Sequence, residues 1–197
     1  MKKEDIIFLP HTSLREKSEK VQAVDEETLK LIDDMIGAAT DWEDSRPHEI
    51  SAALAAVQID RLKRVLIIRG DFDDKNNREF IALINPKIIK YEGQINKDYE
   101  GCLSVKDIYG MVPRHSKIRI RALNVNGQEI QMKVSGFPAR VLQHEIDHME
   151  GKLFIDHIKH EEDAFYTLDD DGELKPLDYE NNIKNNSVLW DGDEDDR

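Results

Sequence analysis

The chain has 197 residues, of which 39% are hydrophobic and 35% are charged, a composition typical of one soluble globular domain. No run of 18 apolar residues occurs, and the sequence after Met1 lacks the apolar stretch of a secretory signal, so we expect a cytoplasmic protein that does not span a membrane. Cys102 is the only cysteine, which excludes a disulfide within the chain.

The negative charge is concentrated towards one end of the sequence. Of the net charge of −13, residues 161–197 contribute −11, with 14 acidic and 3 basic residues, whereas residues 1–160 are close to neutral. We therefore expect a folded domain over residues 1–160 and a detachable, partly disordered acidic extension over residues 161–197. The sequence shows no basic cluster typical of nucleic-acid-binding proteins, so direct contact with nucleic acid is not expected.

The first predicted element is a helix that Asp25 can cap, followed by apolar residues at helical spacing up to Ala39. Residues 41–49 are polar and predict a loop. Residues 51–58 are small and apolar without a clear period, which fits either a buried turn or a short strand.

The middle of the chain predicts strands. Residues 64–68 and 80–84 are short and apolar, and residues 117–125 alternate between apolar and basic side chains. A further strand is predicted over residues 128–134, and Asn126-Gly127 between the last two is a strong hairpin signal.

A second helix is predicted over residues 139–150, opened by Gly136 and Pro138 and ended by Gly151. Strands followed by a helix, without regular alternation, favour an α+β fold in which antiparallel sheets pack around this helix. Beyond it, residues 165–168 and 174–177 form a candidate edge hairpin. From residue 181 onward little structure is expected, apart from an anchor at residues 188–190.

The second predicted helix carries the candidate chemistry. His144 and His148 lie four residues apart, so both imidazoles can reach one metal ion, and the adjacent Glu145 can act on water without being a ligand. Such a site needs a third protein ligand. Spacing alone leaves the downstream His157 and His160 as candidates, as well as the upstream Cys102.

Three ordered motifs together resemble the peptide deformylase family, and the resemblance covers residues 6–158. The first motif ends in Leu54-Ala55-Ala56-Val57-Gln58, the second is Glu100-Gly101-Cys102-Leu103-Ser104, and the third is the segment from Gln143 to His148. The segments Ile84-Asn85-Pro86, Val112-Pro113-Arg114 and Gly136-Phe137 also fit the family.

The resemblance implies a catalytic domain that hydrolyses the N-formyl group of N-formyl-methionyl nascent peptides. It implies Cys102, His144 and His148 as ligands of one divalent metal and Glu145 as the general acid/base. Gln58 and the Leu103 amide would then stabilise the oxyanion. Fe²⁺ is the native metal that the resemblance implies, and Zn²⁺, Ni²⁺ or Co²⁺ suit the same ligands. A transient ribosome contact would follow from such a substrate.

The resemblance also implies a pocket for the methionine side chain at Phe137 and Val141. Val141 lies one helical turn before His144 and should therefore face the same cleft. The sequence departs from the family at the opening of the first motif, where Ser51-Ala52-Ala53 replaces the usual glycines. The methyl group of Ala53 is expected either to narrow the substrate groove or to shift it.

Two alternatives stay open at this point. A zinc endopeptidase would place its third metal ligand downstream of His148 and would not need Cys102. A non-catalytic relative of the deformylases would use the altered first motif and the acidic extension to bind a protein partner.

Overall fold

An antiparallel sheet of seven strands forms the frame of the protein. The computed structural model describes residues 1–46, 50–74, 76–169 and 171–190. Within these residues the strands are β1 (Ala53–Ala55), β2 (Val65–Arg69), β3 (Phe80–Cys102), β4 (Val105–Leu123), β5 (Glu129–Ser135), β6 (Phe165–Leu168) and β7 (Leu174–Pro176).

Four α-helices and five short 3-10 helices accompany the sheet in the described part of the chain. The α-helices are α1 (Glu26–Asp44), α2 (Phe137–His148), α3 (Tyr179–Asn182) and α4 (Ser187–Trp190). The 3-10 helices span Lys3–Asp5, Thr12–Arg15, Ala56–Ile59, Phe154–Ile158 and Glu162–Ala164. None of the described helices is long and apolar enough to cross a membrane.

The long hairpin of β3 and β4 connects all parts of the sheet. The beginning of β3 pairs with β2, and the rest of β3 pairs with β4 down to the turn between Cys102 and Val105. The last third of β4 pairs with β5, and Tyr109 and Gly110 pair with β6. The predicted α+β class and its antiparallel strands are thereby confirmed.

The sequence predicted only the two outer ends of this hairpin. The strands expected at residues 64–68, 80–84, 117–125 and 128–134 are present with small shifts. The stretch from Lys87 to Tyr99 was missed, because most of its residues are exposed and show no alternation of apolar and polar side chains. Register shifts along β3 disturb the pattern further.

Helix α1 covers the first core cluster and is longer than predicted. The Asp25 side chain accepts a hydrogen bond from the Thr28 amide at 2.9 Å, as its capping position predicts. The expected loop from residue 41 is wrong as far as Asp44, because Glu43 is buried and forms an ion pair with Arg69 of β2. Residues 47–49 of that expected loop lie outside the described residues.

Helix α2 lies in the interior, between the first and second motifs. Its buried residues Ala139, Leu142 and Ile146 pack in the second core cluster, which also contains Ile118 and Ile120 of β4. Gly136 with φ of 69° precedes the helix, Pro138 occupies its first turn, and Gly151 with φ of 72° follows it. A Cβ atom on Gly151 would lie 2.4 Å from the Arg15 carbonyl oxygen, so glycine is required there.

The described residues after position 160 are more ordered than the sequence predicted. The edge hairpin of β6 and β7 is confirmed, and it joins the main sheet through the pairing of Phe165 with Gly110. The anchor expected at residues 188–190 is present, since Leu189 and Trp190 are buried in the third core cluster with Phe154. Ile183 is buried in the same cluster, where little structure was expected. Burial of the apolar side chains at 183, 189 and 190 in this cluster stabilises the segment, although many neighbouring residues are charged. Residues 191–197 lie outside the described residues.

Removing the chain after Lys159 should therefore destabilise the domain, contrary to the expectation of a detachable extension. The truncation deletes β6 and exposes the third core cluster, so we expect the melting temperature to fall by ten degrees or more, or the protein to fail to fold. Thermal unfolding of the truncated and full-length chains measures this effect. An unchanged melting temperature would show that residues 160–197 are a separate unit.

Two substitutions in α4 distinguish side-chain packing from the loss of chain length. Trp190→Ala removes a side chain that is 7% exposed, and we expect it to cost about 3–5 kcal/mol. Val188→Ala, on the same helix but 45% exposed, is the matched control and should change stability by less than about 0.5 kcal/mol. Equal effects of the two substitutions would contradict the assigned packing.

Candidate metal centre and active site

Helix α2 places the two predicted histidines on one buried face. His144 and His148 lie one turn apart, with ring centroids 5.0 Å from each other. The side chain of His148 is fully buried, and that of His144 is 8% exposed as it reaches the cavity described below. The helix thus supplies two nitrogen donors at the bottom of a cleft.

Cys102 comes to these histidines from the end of β3. Its Sγ atom lies 3.3 Å from Nε2 of His148, and donor atoms of Cys102, His144 and His148 all lie within 4.8 Å of one another. Metal–sulfur and metal–nitrogen bonds of about 2.3 and 2.0–2.1 Å at a tetrahedral angle would separate sulfur from nitrogen by about 3.5 Å. These three residues therefore fit one divalent metal ion.

The downstream histidines do not join this cluster. Nε2 of His157 lies 2.7 Å from the Asp147 carboxylate and 3.2 Å from the Arg114 guanidinium, on the outer side of α2. His160 is exposed. Among the described residues, Cys102 is thus the third donor beside the two histidines of α2.

The protonation of the two histidines reflects their surroundings. Burial, and then the charge of His144, holds the pKa of His148 well below its ordinary value, so its imidazole is neutral, as a metal ligand must be. Burial alone would also lower the pKa of His144, but the contacts with Cys102 and Glu100 outweigh this effect and raise the pKa of His144. The centre therefore favours a positive charge at this position.

Glu100 holds His144 in place from behind. Its Oε2 atom lies 3.0 Å from Nδ1 of His144, which leaves Nε2 as the nitrogen available to a metal. The Arg114 guanidinium donates two hydrogen bonds to the Glu100 carboxylate at 3.0 and 3.1 Å, and Arg140 donates one at 2.7 Å. Burial would raise the pKa of Glu100, but His144 and Arg114 outweigh it and lower that pKa.

Glu145 faces the cavity beside the histidines and is not part of the donor cluster. The residue is 5% exposed, and its Oε2 atom accepts no hydrogen bond from a described residue. Burial raises the pKa of Glu145 to about 7, which the charge of His144 only partly opposes. A carboxyl group with such a pKa is suited to accept and return a proton near neutral pH.

Gln58 approaches the cluster from the 3-10 helix after β1. Its Oε1 atom accepts a hydrogen bond from the Ala55 amide at 2.9 Å, which fixes the orientation of the side-chain amide. Nε2 then points towards the second motif, 3.2 Å from Ser104 Oγ and 3.6 Å from Cys102 Sγ. Leu103 lines the cavity in the turn between Cys102 and Ser104.

A cavity of about 260 Å³ opens in front of these groups. The three predicted substrate residues, Ala53, Phe137 and Val141, all line it together with Gln58 and Glu145. Val141 is buried, as its position one turn before His144 predicts, whereas Phe137 is half exposed at the rim. The sequence-predicted site residues are therefore gathered around one cleft, and His148 lies beneath it.

A buried ion pair that holds the opening of the first motif was not predicted from the sequence. The carboxylate of Glu43 accepts hydrogen bonds from the Arg69 guanidinium and, at 3.0 Å, from the Ser51 amide. Arg69 Nε in turn donates to the Ser51 carbonyl at 3.3 Å. A charged residue inside the apolar strand β2 was the available signal, because a buried arginine requires a partner.

Comparison with known proteins agrees with this site. A family model described as polypeptide deformylase matches residues 3–164. Peptide deformylase 2 of Clostridium acetobutylicum is 38% identical over 73% of this chain and 87% of its own length. The peptide deformylase of Thermomicrobium roseum is 37% identical over 81% of this chain and 88% of its own length.

Solved structures show the same fold. A peptide deformylase from Legionella pneumophila superimposes with a TM-score of 0.67 at 37% identity, over 77% of this chain and 83% of that one. One from Synechococcus elongatus, in complex with actinonin, gives a TM-score of 0.71 at 28% identity, over 79% of this chain and 80% of that one. The chain described here belongs to the polypeptide deformylase family.

Proposed function

We propose that this chain removes the N-formyl group from N-formyl-methionyl nascent peptides and releases formate. The observation that carries the proposal is the cluster of Cys102, His144 and His148 beside Glu145, at the bottom of one cavity. We expect the reaction in the cytoplasm, where nascent chains are made, with at most a transient contact to the ribosome.

Cys102, His144 and His148 would hold one divalent metal, which when bound activates water and polarises the formyl carbonyl. One thiolate and two imidazoles form a donor set of intermediate softness, suited to Fe²⁺, which we propose as the native metal, and also to Zn²⁺, Ni²⁺ or Co²⁺. Glu100 supports this set, since its carboxylate fixes the ring of His144.

Glu145 would move the proton. Its carboxylate takes a proton from the attacking water, whose oxygen forms the new bond to the formyl carbon. The carbon–nitrogen bond then breaks, and Glu145 returns the proton to the leaving nitrogen of the methionine. Breaking this bond yields formic acid, whose proton passes to the released amine, so the products are formate and a protonated amino terminus, and atoms and charge balance. The buried position of Glu145 next to His144 supports this role.

Gln58 and the Leu103 amide would stabilise the negative oxygen that develops on the formyl group. The Nε2 group of Gln58 already points to the side of the cluster where Cys102 lies, and its orientation is fixed by the Ala55 amide. Donors that are oriented before the reaction stabilise the developing charge without further reorganisation.

Phe137, Val141 and Ala53 would contact the methionine of the substrate. Val141 and Ala53 supply buried apolar surface at the cavity wall, and the half-exposed Phe137 packs edge-on against Phe72 with ring centroids 5.2 Å apart. An unbranched thioether fits such a mixed aliphatic and aromatic wall well.

The two alternatives lose their support at this site. An endopeptidase with a downstream ligand needs His157 or His160 beside His144 and His148, but His157 is hydrogen-bonded to Asp147. A non-catalytic binding module predicts losses among the chemical residues, whereas Gln58, Cys102, Leu103, His144, Glu145 and His148 are all present around the cavity or beneath it. Formate release from a formyl-Met peptide, compared with cleavage of an internal peptide bond, tests all three functions.

Replacing the thiolate ligand should remove the metal. Because a serine hydroxyl is a far poorer ligand for a soft divalent metal, we expect Cys102→Ser to lose most bound metal and deformylation. Metal analysis of the purified variant, together with its far-ultraviolet circular dichroism, separates ligand loss from unfolding. A folded variant with full metal content would show that Cys102 is not a ligand.

Replacing the proposed acid/base should separate metal binding from catalysis. Glu145→Gln keeps the shape of the side chain but cannot accept a proton, so we expect deformylation to fall by about 10² or more at unchanged metal content. Glu150→Gln, an exposed change at the end of the same helical segment, is the matched control and should keep activity. Parallel loss of metal and activity in Glu145→Gln would make Glu145 structural.

Restoring glycine in the first motif should widen the groove. We expect Ala53→Gly to raise kcat/KM for formyl-Met peptides or to broaden the range of accepted peptides, because a methyl group is removed from the cavity wall. Ala82→Gly, in the neighbouring strand β3 and away from the cavity, controls for the cost of about 0.5–1 kcal/mol that glycine carries in a strand. Unchanged or lower kcat/KM would show that the groove is adapted to alanine.

A further inference from the structure

The outer face of the sheet is basic, although the protein as a whole is acidic. Helix α2 packs on the inner face of β4, against the alternating residues Ile118, Ile120 and Ala122. The residues between them, and their cross-strand neighbours on β3 and β5, point away from α2. The cations of this basic sheet face are Lys87, Lys90, Lys117, Arg119, Arg121 and Lys133.

The register of the strands shows that these cations share one face. Arg119 lies directly opposite Lys90 on β3 and opposite Lys133 on β5, so three cations form a row across three strands. In the neighbouring row, Arg121 lies opposite Lys87. Along β4 the cations are spaced by two residues, about 6.8 Å, and across the strands by about 4.8 Å.

Carboxylates on this face neutralise only part of the charge. Glu92 pairs with Arg119 at 2.8 Å and with Lys90 at 3.4 Å, and Glu129 lies 3.9 Å from Arg121.

The remaining lysines, Lys87, Lys117 and Lys133, form no ion pair with a described carboxylate. The ammonium group of Lys117 lies close enough to Lys133 to lower the pKa of Lys133. Six cations and two carboxylates give this face a net charge of about +4, within a chain of net charge −13.

We propose that the basic sheet face binds the phosphodiester backbone of RNA, although the sequence alone led us to expect no direct contact with nucleic acid. A planar array of lysine and arginine at regular spacing is complementary to a chain of phosphates, and repulsion between Lys117 and Lys133 is relieved by a bound anion. A membrane surface is a poorer match, because the outward positions of β4 and β5 among these cations hold polar residues such as Gln131 and Ser135, and the exposed Ile89 beside Lys90 on β3 is too small an apolar area to insert.

The face predicts the manner of binding. No aromatic side chain stands among the outward residues of these rows, so base stacking is not available and the contacts are restricted to phosphate and sugar. Binding should therefore be independent of sequence and strongly dependent on salt.

The cavity stays open in such a complex. None of the six cations lines it, and the array lies on the opposite side of β4 from α2. RNA could therefore hold the protein near a nascent chain without blocking its active site.

The test is binding of the full-length protein to a fluorescently labelled oligouridylate and to a labelled RNA duplex, by anisotropy over a range of salt concentrations. The variant Lys87→Gln, Lys117→Gln, Lys133→Gln removes the three lysines that lack a carboxylate partner. We expect its affinity for RNA to fall at least tenfold, and the slope of log K against log salt to fall by about 2, since each single-strand phosphate contact contributes about 0.7.

The matched control is Lys2→Gln, Lys17→Gln, Lys20→Gln, which changes the net charge equally at positions outside the sheet. It should retain the affinity and salt slope of the unchanged protein, and both triple variants should keep the melting temperature and the deformylation rate. Equal losses of RNA affinity in the two triple variants would overturn the proposal. So would binding to vesicles of phosphatidylserine without binding to RNA, or equally strong competition by polyglutamate.

Discussion

The buried carboxylate of Glu100 is the constraint on which the arrangement of the site depends. A charge at this depth costs several kcal/mol unless it is paired, and here two guanidinium groups and one imidazole surround it. Arg114 comes from β4, while Arg140 and His144 come from α2. The contacts of Glu100 on β3 therefore fix the position of helix α2 relative to the long hairpin of β3 and β4. Removal of the Glu100 carboxylate would take from Arg114, Arg140 and His144 the acceptor that they share.

This constraint also positions the proposed metal ligands. Cys102 follows Glu100 by two residues on β3, so the strand that orients His144 also delivers the thiolate. The ring of His144 stacks on Phe154 with centroids 6.0 Å apart, and Phe154 belongs to the third core cluster together with Trp190. One aromatic contact thus joins the proposed metal centre to the core cluster of the C-terminal segment, although Trp190 is 46 residues away from His144 in the sequence.

The sequence predicts those features that short-range chemistry controls. The spacing of His144 and His148, the turn at Asn126-Gly127 and the direction of Val141 follow from helix and hairpin geometry alone. The pairing of Glu43 with Arg69 was not predictable in this way, because the two residues are 26 positions apart and a polar segment follows the first of them. Roles for Gln58 and Leu103 required the family resemblance, since no local pattern distinguishes them from ordinary core residues.

Charge distribution shows why composition misleads about surfaces. A strand places every second residue on the same face, and the alternating segment from Lys117 to Arg121 was therefore correctly predicted as a strand. The composition of this segment, however, does not separate its exposed basic residues from its buried apolar residues. Lys90 and Lys133 come from other segments and join this face only through pairing with Arg119. Because the described acidic residues of the C-terminal segment lie on other elements, a net charge of −13 coexists with one basic face. The pairing register of the strands thus determines the charge of each face, and the total charge of the chain does not determine what each face can bind.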